Sequence, residues 1–288
     1  MTATARLERL KPILVCPRCR DALVFPDGDG RCEACRETYP VREGRIYFVD
    51  VPDHRDPLDR LKGRLKRWLG RYYHTVGITL LAPTYPFDYA GRIRRYLDPS
   101  RQVVVNVGCG NHRIDPDVIG LDLFAYEATD VVCDVHALPF RPDSVDAFVS
   151  RSVLEHVPDP AAVVAAFHRA TRPGGLGLHL IPFLFPFHAS PQDFQRYTHR
   201  GLERLFAGWT IIDMYNATGP VTLWLLTTLE FLSTLLSAGR ERAKAYLYLA
   251  LCGLLFPLKF LDAPFVHRRA FLSLAPTIFT VVRKETAP

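Results

Sequence analysis

The chain has 288 residues, 48% of them hydrophobic and 23% charged, enough apolar material for a full core and too much for a disordered chain. Its net charge of +6 is concentrated between Leu58 and Tyr72, where Arg60, Lys62, Arg64, Lys66, Arg67 and Arg71 meet only Asp59. The remainder is near neutral, which argues against a long nucleic-acid groove, and the polar start from Met1 to Lys11 lacks a signal-peptide core, so a cytoplasmic, reducing setting is expected.

Ile13 to Val49 reads as a small autonomous module. Cys16-Pro-Arg-Cys19 and Cys32-Glu-Ala-Cys35 are separated by twelve residues that include the turn signal Pro26-Asp27-Gly28-Asp29-Gly30. Two tight loops, each offering two thiolates, suit a closed tetrahedral site for structural Zn2+, with no position left for catalysis. Two disulfides or a redox pair is the competing reading. A stretch this short buries too little to fold alone, so the metal would supply its stability. Cys109, Cys133 and Cys252 lie in apolar stretches and read as buried small residues. The module resembles the small zinc-ribbon activator of methyltransferases in tRNA-modification complexes, sharing Cys16-Pro-x-Cys19, Cys32-x-x-Cys35, Tyr39-Pro40-Val41 and Gly44-Arg45-Ile46. That resemblance covers about forty residues and implies a ribbon that docks on a methyltransferase domain, here fused to it. The expected division is a ribbon at 11–50, a linker with a basic helix at 51–87, and a large domain at 88–288.

Pro52 to Pro57 reads as the linker. Leu58, Leu61, Leu65, Trp68 or Leu69, and Tyr72 then recur at helical spacing with basic residues between them. Such a helix suits an anionic membrane surface or RNA, or equally a domain-covering helix with a solvated face. Pro83 to Pro86 breaks the chain, and Asp88 to Leu97 reads as a short helix. From Gln102, strands are expected at Val103–Val107, Val118–Leu121, Asp130–Cys133, Val145–Ser150, Leu176–Ile181 and Trp209–Tyr215. After the fourth, Asp159 and Pro160 start a helix whose apolar face is Val163, Val164, Phe167 and Ala170, and Pro173-Gly174-Gly175 ends it. Strands alternating with helices predict an α/β fold with a parallel sheet.

Ile278–Val282 reads as a final strand, preceded by an apolar helical insertion at 219–275. Gly219 to Ala238 carries only Glu230 as a charge, and Ala245 to Leu258 is a second apolar run across the loop Arg240–Lys244. Neither run suits a membrane span; a hairpin dipping into one leaflet, or packed as a lid, suits them better. Peripheral contact with the inner face of a membrane is therefore expected through 58–72 and 219–261, against a wholly buried cap.

The chemistry-bearing motifs follow one another in order. Val105-Asn106-Val107-Gly108-Cys109-Gly110 ends strand one in a bare turn, and Gly120-Leu121-Asp122-Leu123 ends strand two on an acid. Cys133-Asp134-x-x-x-Leu138-Pro139-Phe140, Asp143-x-x-Asp146, Ser152-Val153-Leu154-Glu155-His156-Val157 and Arg172-Pro173-Gly174-Gly175 come after them. On these motifs, from about Gln102 to Tyr215 plus the last strand, the chain resembles the class I S-adenosylmethionine-dependent methyltransferases, in their ubiquinone/menaquinone-biosynthesis-like branch. The resemblance implies a Rossmann-like, seven-stranded sheet with the last strand antiparallel, and S-adenosylmethionine as cofactor. It places Asn106, Gly108, Gly110, Asp122, Leu123, Asp134, Val135 and Ser150 around that cofactor. Gly108 and Gly110 would let the loop approach the methionine part, Asp122 would accept from both ribose hydroxyls, and Asp134 would accept from the adenine amino group, with Val135 or the neighbouring Leu138 packing on the ring. Ser150 to Ser152 would line the cofactor near the transferred methyl. Two positions depart from the pattern: Asn106 stands where an acid is usual, and His112 near where a third glycine often falls.

Methyl transfer from a sulfonium is an in-line displacement, and a base is needed only when the acceptor must lose a proton. The loop after strand five, Pro186 to Thr198, lies at the carboxyl end of such a sheet. Its expected roles are His188 as general base, Asp193 orienting it, and Arg196 or Tyr197 holding the acceptor. An Asp193–Arg196 pair that merely braces the loop is the equal alternative. His156 is placed to serve the pocket too, and His168 reads as surface. The loop also looks, more loosely, like methyltransferases encoded with surface-polysaccharide and glycolipid enzymes.

Three acceptor readings remain open. One is a small or lipid-linked acceptor in glycolipid, polysaccharide or quinone biosynthesis at the membrane face. Another is tRNA or rRNA, which Ser150-Arg151-Ser152-Val153 in place of an Asn-Pro-Pro-Tyr motif disfavours. The third is a non-catalytic zinc-ribbon scaffold.

Overall fold

The computed structural model describes residues 1–51, 70, 80–188 and 192–286. The linker at Pro52–Pro57 and the basic helix at 58–72, apart from Gly70, lie outside the described residues.

Helix α1 (Ala3–Leu10) starts on Thr2, whose Oγ1 accepts from Ala5 N at 3.2 Å, and turns Leu7 and Leu10 inward. It occupies most of the stretch expected to be only a polar start. Strands β1 (Leu23–Val24), β2 (Gly30–Cys32) and β3 (Thr38–Tyr39) form a small antiparallel sheet among the cysteine loops. A hairpin of β4 (Val41–Arg42) and β5 (Arg45–Tyr47) then runs into the main sheet.

After α2 (Tyr89–Tyr96), capped by Asp88, come β6 (Val104–Val107), β7 (Ile119–Asp122), β8 (Val131–Val132) and β9 (Val145–Arg151). Helix α3 (Pro160–Ala170) begins on Asp159, which accepts from Ala162 N at 2.9 Å, and buries the predicted Val163–Ala170 face. Then follow β10 (Thr171–Pro182), α4 (His199–Leu205), β11 (Trp209–Asn216), α5 (Pro220–Ser237), α6 (Glu241–Leu255) and β12 (Thr277–Lys284). Pro173-Gly174-Gly175 does not end α3. The helix stops at Ala170, and the three residues form a bulge in β10 between Thr171 and Leu176.

Among the described residues the sheet order is β11-β12-β10-β9-β6-β7-β8-β5-β4, nine strands rather than the expected seven. Seven of them, β6 to β12, are those read from the sequence, and β12 is antiparallel to both β10 and β11. The other two come from the cysteine module. β8 would otherwise end the sheet with unpaired backbone groups, and β5 covers it in parallel, Ile46 opposite Val131. Ile46 N donates to Asp130 O at 3.1 Å and Phe48 N to Val132 O at 2.8 Å.

The module is packed closely against the large domain. Cys16, Cys32 and Ile46 share one apolar cluster with Leu121 and Phe140 of the large domain. Val15 N donates to Pro139 O at 2.9 Å, and Arg20 donates to Leu138 O and Phe140 O at 2.7 and 2.6 Å. Arg6 and Arg113 grip the buried Asp130 from either side.

Helices α5 and α6 pack together as a hairpin, and Glu230 pairs with Lys244 across it. Asp262, wholly buried, accepts from Val221 N and Thr222 N at 2.8 Å and so caps α5. By length and composition the two segments Pro220–Ser237 and Glu241–Asp262 could each cross a membrane, and only 17% of the second is buried. A wholly buried cap is therefore not what the insertion forms: Trp224, Phe231, Leu235, Leu236, Tyr246 and Leu254 are all exposed.

Candidate functional site

The four module cysteines converge. Cys16 Sγ lies 3.5 Å from Cys35 Sγ, Cys19 Sγ lies 3.3 Å from Cys32 Sγ, and all four fall within 4.8 Å of one another. These separations are well beyond a disulfide bond of about 2.05 Å. They approach the edge of a tetrahedron with metal–sulfur bonds of about 2.3 Å, which is about 3.8 Å. The two loops repeat one geometry: Arg20 N donates to Cys16 O and Arg36 N to Cys32 O, both at 2.9 Å, with Arg20 and Arg36 at positive φ. The donor set and its spacing fit Zn2+.

The glycine turn follows β6. Gly108 has φ +64°, and a Cβ there would stand 2.4 Å from Val153 Cγ2, so only glycine fits beneath that side chain. Gly110 has φ +55° and faces open space. Asp122, at the tip of β7, accepts from Gly110 N at 2.9 Å and from Phe124 N at 3.1 Å. Burial pushes its carboxyl upward, against these backbone hydrogen bonds. Each carboxylate oxygen retains acceptor capacity, so the turn and Asp122 fit a ligand with neighbouring hydroxyls. Leu123 follows directly and is half-buried. Asn106 is buried within β6, one residue before its end.

Asp134 begins a 3-10 turn, Val135–Ala137, and accepts from His136 N at 2.9 Å and from His136 Nδ1 at 2.8 Å. Val135 packs partly against the core beside it. Ser150 is placed differently from the expectation. It is wholly buried and its Oγ bonds His179 Nδ1 at 2.8 Å, on the face where His179 stacks between Phe167 and Phe206. A side chain enclosed in that layer does not line an open site.

In the loop after β10, Asp193 receives both terminal nitrogens of Arg196 and also accepts from His188 N at 2.8 Å. The Arg196 guanidinium brings the Asp193 carboxyl down to about 2. Asp193 thus holds the loop's backbone; its nearest approach to the His188 ring is 3.5 Å. Arg196 is committed to Asp193 and to the carbonyls of Phe185 and Pro186. The Tyr197 hydroxyl is buried without a hydrogen-bond partner, and burial pushes it well up. The His188 ring instead points its Nε2 at Glu155 Oε1, 3.5 Å away, and His156 approaches the same oxygen at 3.6 Å. Glu155 entered the sequence reading only as part of a motif. Its isolation depends on a loop more than thirty residues later, which no local pattern reveals.

A groove of about 700 Å³ runs beside this loop, between Phe183–Pro186 and the α5 side chains Leu223, Thr227, Phe231 and Leu235. Its walls are mostly apolar, with Glu230 at one side.

Residues 105–178 match the family model described as a methyltransferase domain. An uncharacterized methyltransferase of Mycobacterium marinum is 45% identical over 62 residues, 21% of this chain and 24% of that protein. One from Mycobacterium avium is 52% identical over 52 residues, 18% of this chain and 21% of that protein. The chain thus matches less than a quarter of the length of these curated relatives. Among solved structures, the phosphoethanolamine N-methyltransferase 2 of Haemonchus contortus, with phosphomonomethylethanolamine and S-adenosylhomocysteine, matches at TM-score 0.49 and 18% identity, over 83% of this chain and 61% of that one. A complex between the Haloferax volcanii Trm112 methyltransferase activator and an inferred methyltransferase matches at TM-score 0.45 and 17% identity, over 81% and 98%.

Proposed function

We propose that this chain, whose residues 105–178 match the methyltransferase-domain model, transfers the methyl group of S-adenosylmethionine to a small or lipid-linked acceptor. The observation that carries this is the glycine turn closed onto Asp122 inside the matched segment. Asp122 takes the ribose hydroxyls, Gly110 leaves room for the methionine part, and Asp134 with Val135 meets the adenine. Leu123 flanks the ribose, and Asn106 accepts a hydrogen bond from the cofactor's amino end without offering a charge. Zn2+ on Cys16, Cys19, Cys32 and Cys35 is structural, because four protein ligands fill its coordination.

On the acceptor side, Asp193 and Arg196 brace the loop and the Tyr197 hydroxyl is buried beneath it, leaving His188 to face the acceptor. The apolar groove between this loop and α5 supports an acceptor with a hydrocarbon part. The exposed apolar residues of the α5–α6 hairpin support its presentation at a membrane surface. Incubating the metal-loaded protein with methyl-labelled S-adenosylmethionine and bacterial membrane extract tests this reading. Label is expected in a solvent-extractable product; label confined to the unreacted cofactor would contradict it.

A further inference from the structure

Glu155 lies in the 3-10 turn Leu154–His156 that follows β9. It is wholly buried, and among the described residues neither of its carboxylate oxygens has a hydrogen-bond partner. The His188 and His156 Nε2 atoms face its Oε1 at 3.5 and 3.6 Å, and one ligand atom from each of the three residues falls within a 4.8 Å cluster. Each ring has its other nitrogen on a backbone carbonyl: His156 Nδ1 on Gln192 O, and His188 Nδ1 on Pro186 O at 3.1 Å. A carbonyl only accepts, so each Nδ1 carries a proton, which leaves Nε2 of each ring as the atom able to ligate. Arg196 Nη2 also lies 3.3 Å from His188 Nδ1, but its two protons go to Pro186 O and Asp193 Oδ2 at 3.0 and 2.6 Å. Two imidazole nitrogens therefore converge on a buried carboxylate that no described residue satisfies with a hydrogen bond, an arrangement that burial makes costly.

We propose that Glu155, His156 and His188 bind a divalent transition-metal ion of the Zn2+ type. Ligand atoms about 2.1 Å from a tetrahedral ion lie about 3.4 Å apart, close to the separations seen here. Two imidazoles with one carboxylate is a donor set that suits zinc or iron, whereas magnesium prefers oxygen and water. The carbonyl on each Nδ1 is the kind of outer partner that holds a ligating histidine in its tautomer. Unlike the four-cysteine cluster, this site has three protein ligands. His188 is a third exposed along its side chain and its ring bonds the carbonyl of Pro186, which lines the groove, so a further ligand would reach the ion from that side. There the ion would hold an oxygen or nitrogen of the acceptor and favour its deprotonation, replacing His188 as base. That role rests on the methyltransferase reading; the binding of the ion does not.

The test is metal stoichiometry on the full chain, stripped with chelator, reloaded with Zn2+ and dialysed. Two equivalents per chain are expected, falling to one in Glu155→Gln and in His188→Gln. Cys35→Ser should lose the other equivalent and keep this one. Reloading with Co2+ distinguishes the sites, because only the cysteine site gives thiolate-to-cobalt charge-transfer absorption. A native chain holding one equivalent would overturn the proposal, with a proton on His188 then answering Glu155. Two equivalents in both variants would overturn it as well. If the buried Glu155→Gln misfolds, the partly exposed His188→Gln decides. S-adenosylmethionine binding measured on the same samples is independent: a second equivalent held by a chain that does not bind the cofactor keeps the metal site and removes the enzymatic reading.

Discussion

At the scale of single residues, Gly108 shows how a sequence signal and its structural cause can differ. The glycine is legible as part of a cofactor turn. The structure adds that Val153 stands over it and that its φ is left-handed. Gly108→Ala should cost about 1–3 kcal/mol, from the positive φ and the clash together. Urea denaturation checks this, and an unchanged midpoint would mean the turn relaxes freely. His179 carries a pH prediction. Burial takes it from the usual 6.5 down to about 3, so it stays neutral among Phe167 and Phe206. Between those values the unfolded chain binds a proton that the folded chain refuses, and stability falls as pH drops through that window, by up to about 1.4 kcal/mol per pH unit from this group. His179→Phe should flatten that decline in denaturation midpoints measured between pH 6.5 and the acid limb; an equally steep decline would place the acid sensitivity elsewhere. Ser150 was misplaced from sequence because its position at the carboxyl end of β9 says nothing about which face its side chain takes. The answer depends on His179 in the neighbouring strand.

At the scale of elements, the seven strands β6 to β12 were legible because runs of β-branched and apolar residues mark them, each bounded by turn signals. The docking of β4 and β5 was not. Strands of two and three residues have no period, and their role is to cover β8. α1 was missed because a polar segment with Leu7 and Leu10 buried shows too little apolar repetition to stand out. The consequence is mechanical: the cysteine loops flank their own three-stranded sheet, but the chain runs from it into β4 and β5 of the main sheet and shares that sheet's core. Cys19→Ser, at the exposed corner of the cluster, should therefore lower the melting temperature of the whole chain by several degrees, at roughly 2–4 °C per kcal/mol for a protein of this size. Calorimetry tests it. An unchanged main transition with a separate early melt would show that the module unfolds alone.

At the scale of the whole molecule, three parts meet at the carboxyl end of the sheet: the glycine turn with Asp122, the His188 loop with Glu155 behind it, and the apolar groove along α5. The first was readable in detail because its motifs are contiguous. The second was readable only as a loop with reactive residues, since the pairing of Asp193 with Arg196 and the convergence of Glu155, His156 and His188 are tertiary facts. The apolar insertion was readable from composition alone, and its hairpin form and exposed face follow from the Glu230–Lys244 pair and the Asp262 cap. Asn106, an amide where the resemblance implies an acid, would meet the cofactor's amino end without a charge. Isothermal titration of S-adenosylmethionine into the folded, metal-loaded chain tests the central claim most directly. Saturable binding is expected, weakened at least tenfold in Asp122→Ala by loss of charge-assisted hydrogen bonds worth about 1.5–3 kcal/mol, with the cysteine-bound metal retained. No binding by the native chain, or equal binding by Asp122→Ala, would contradict it.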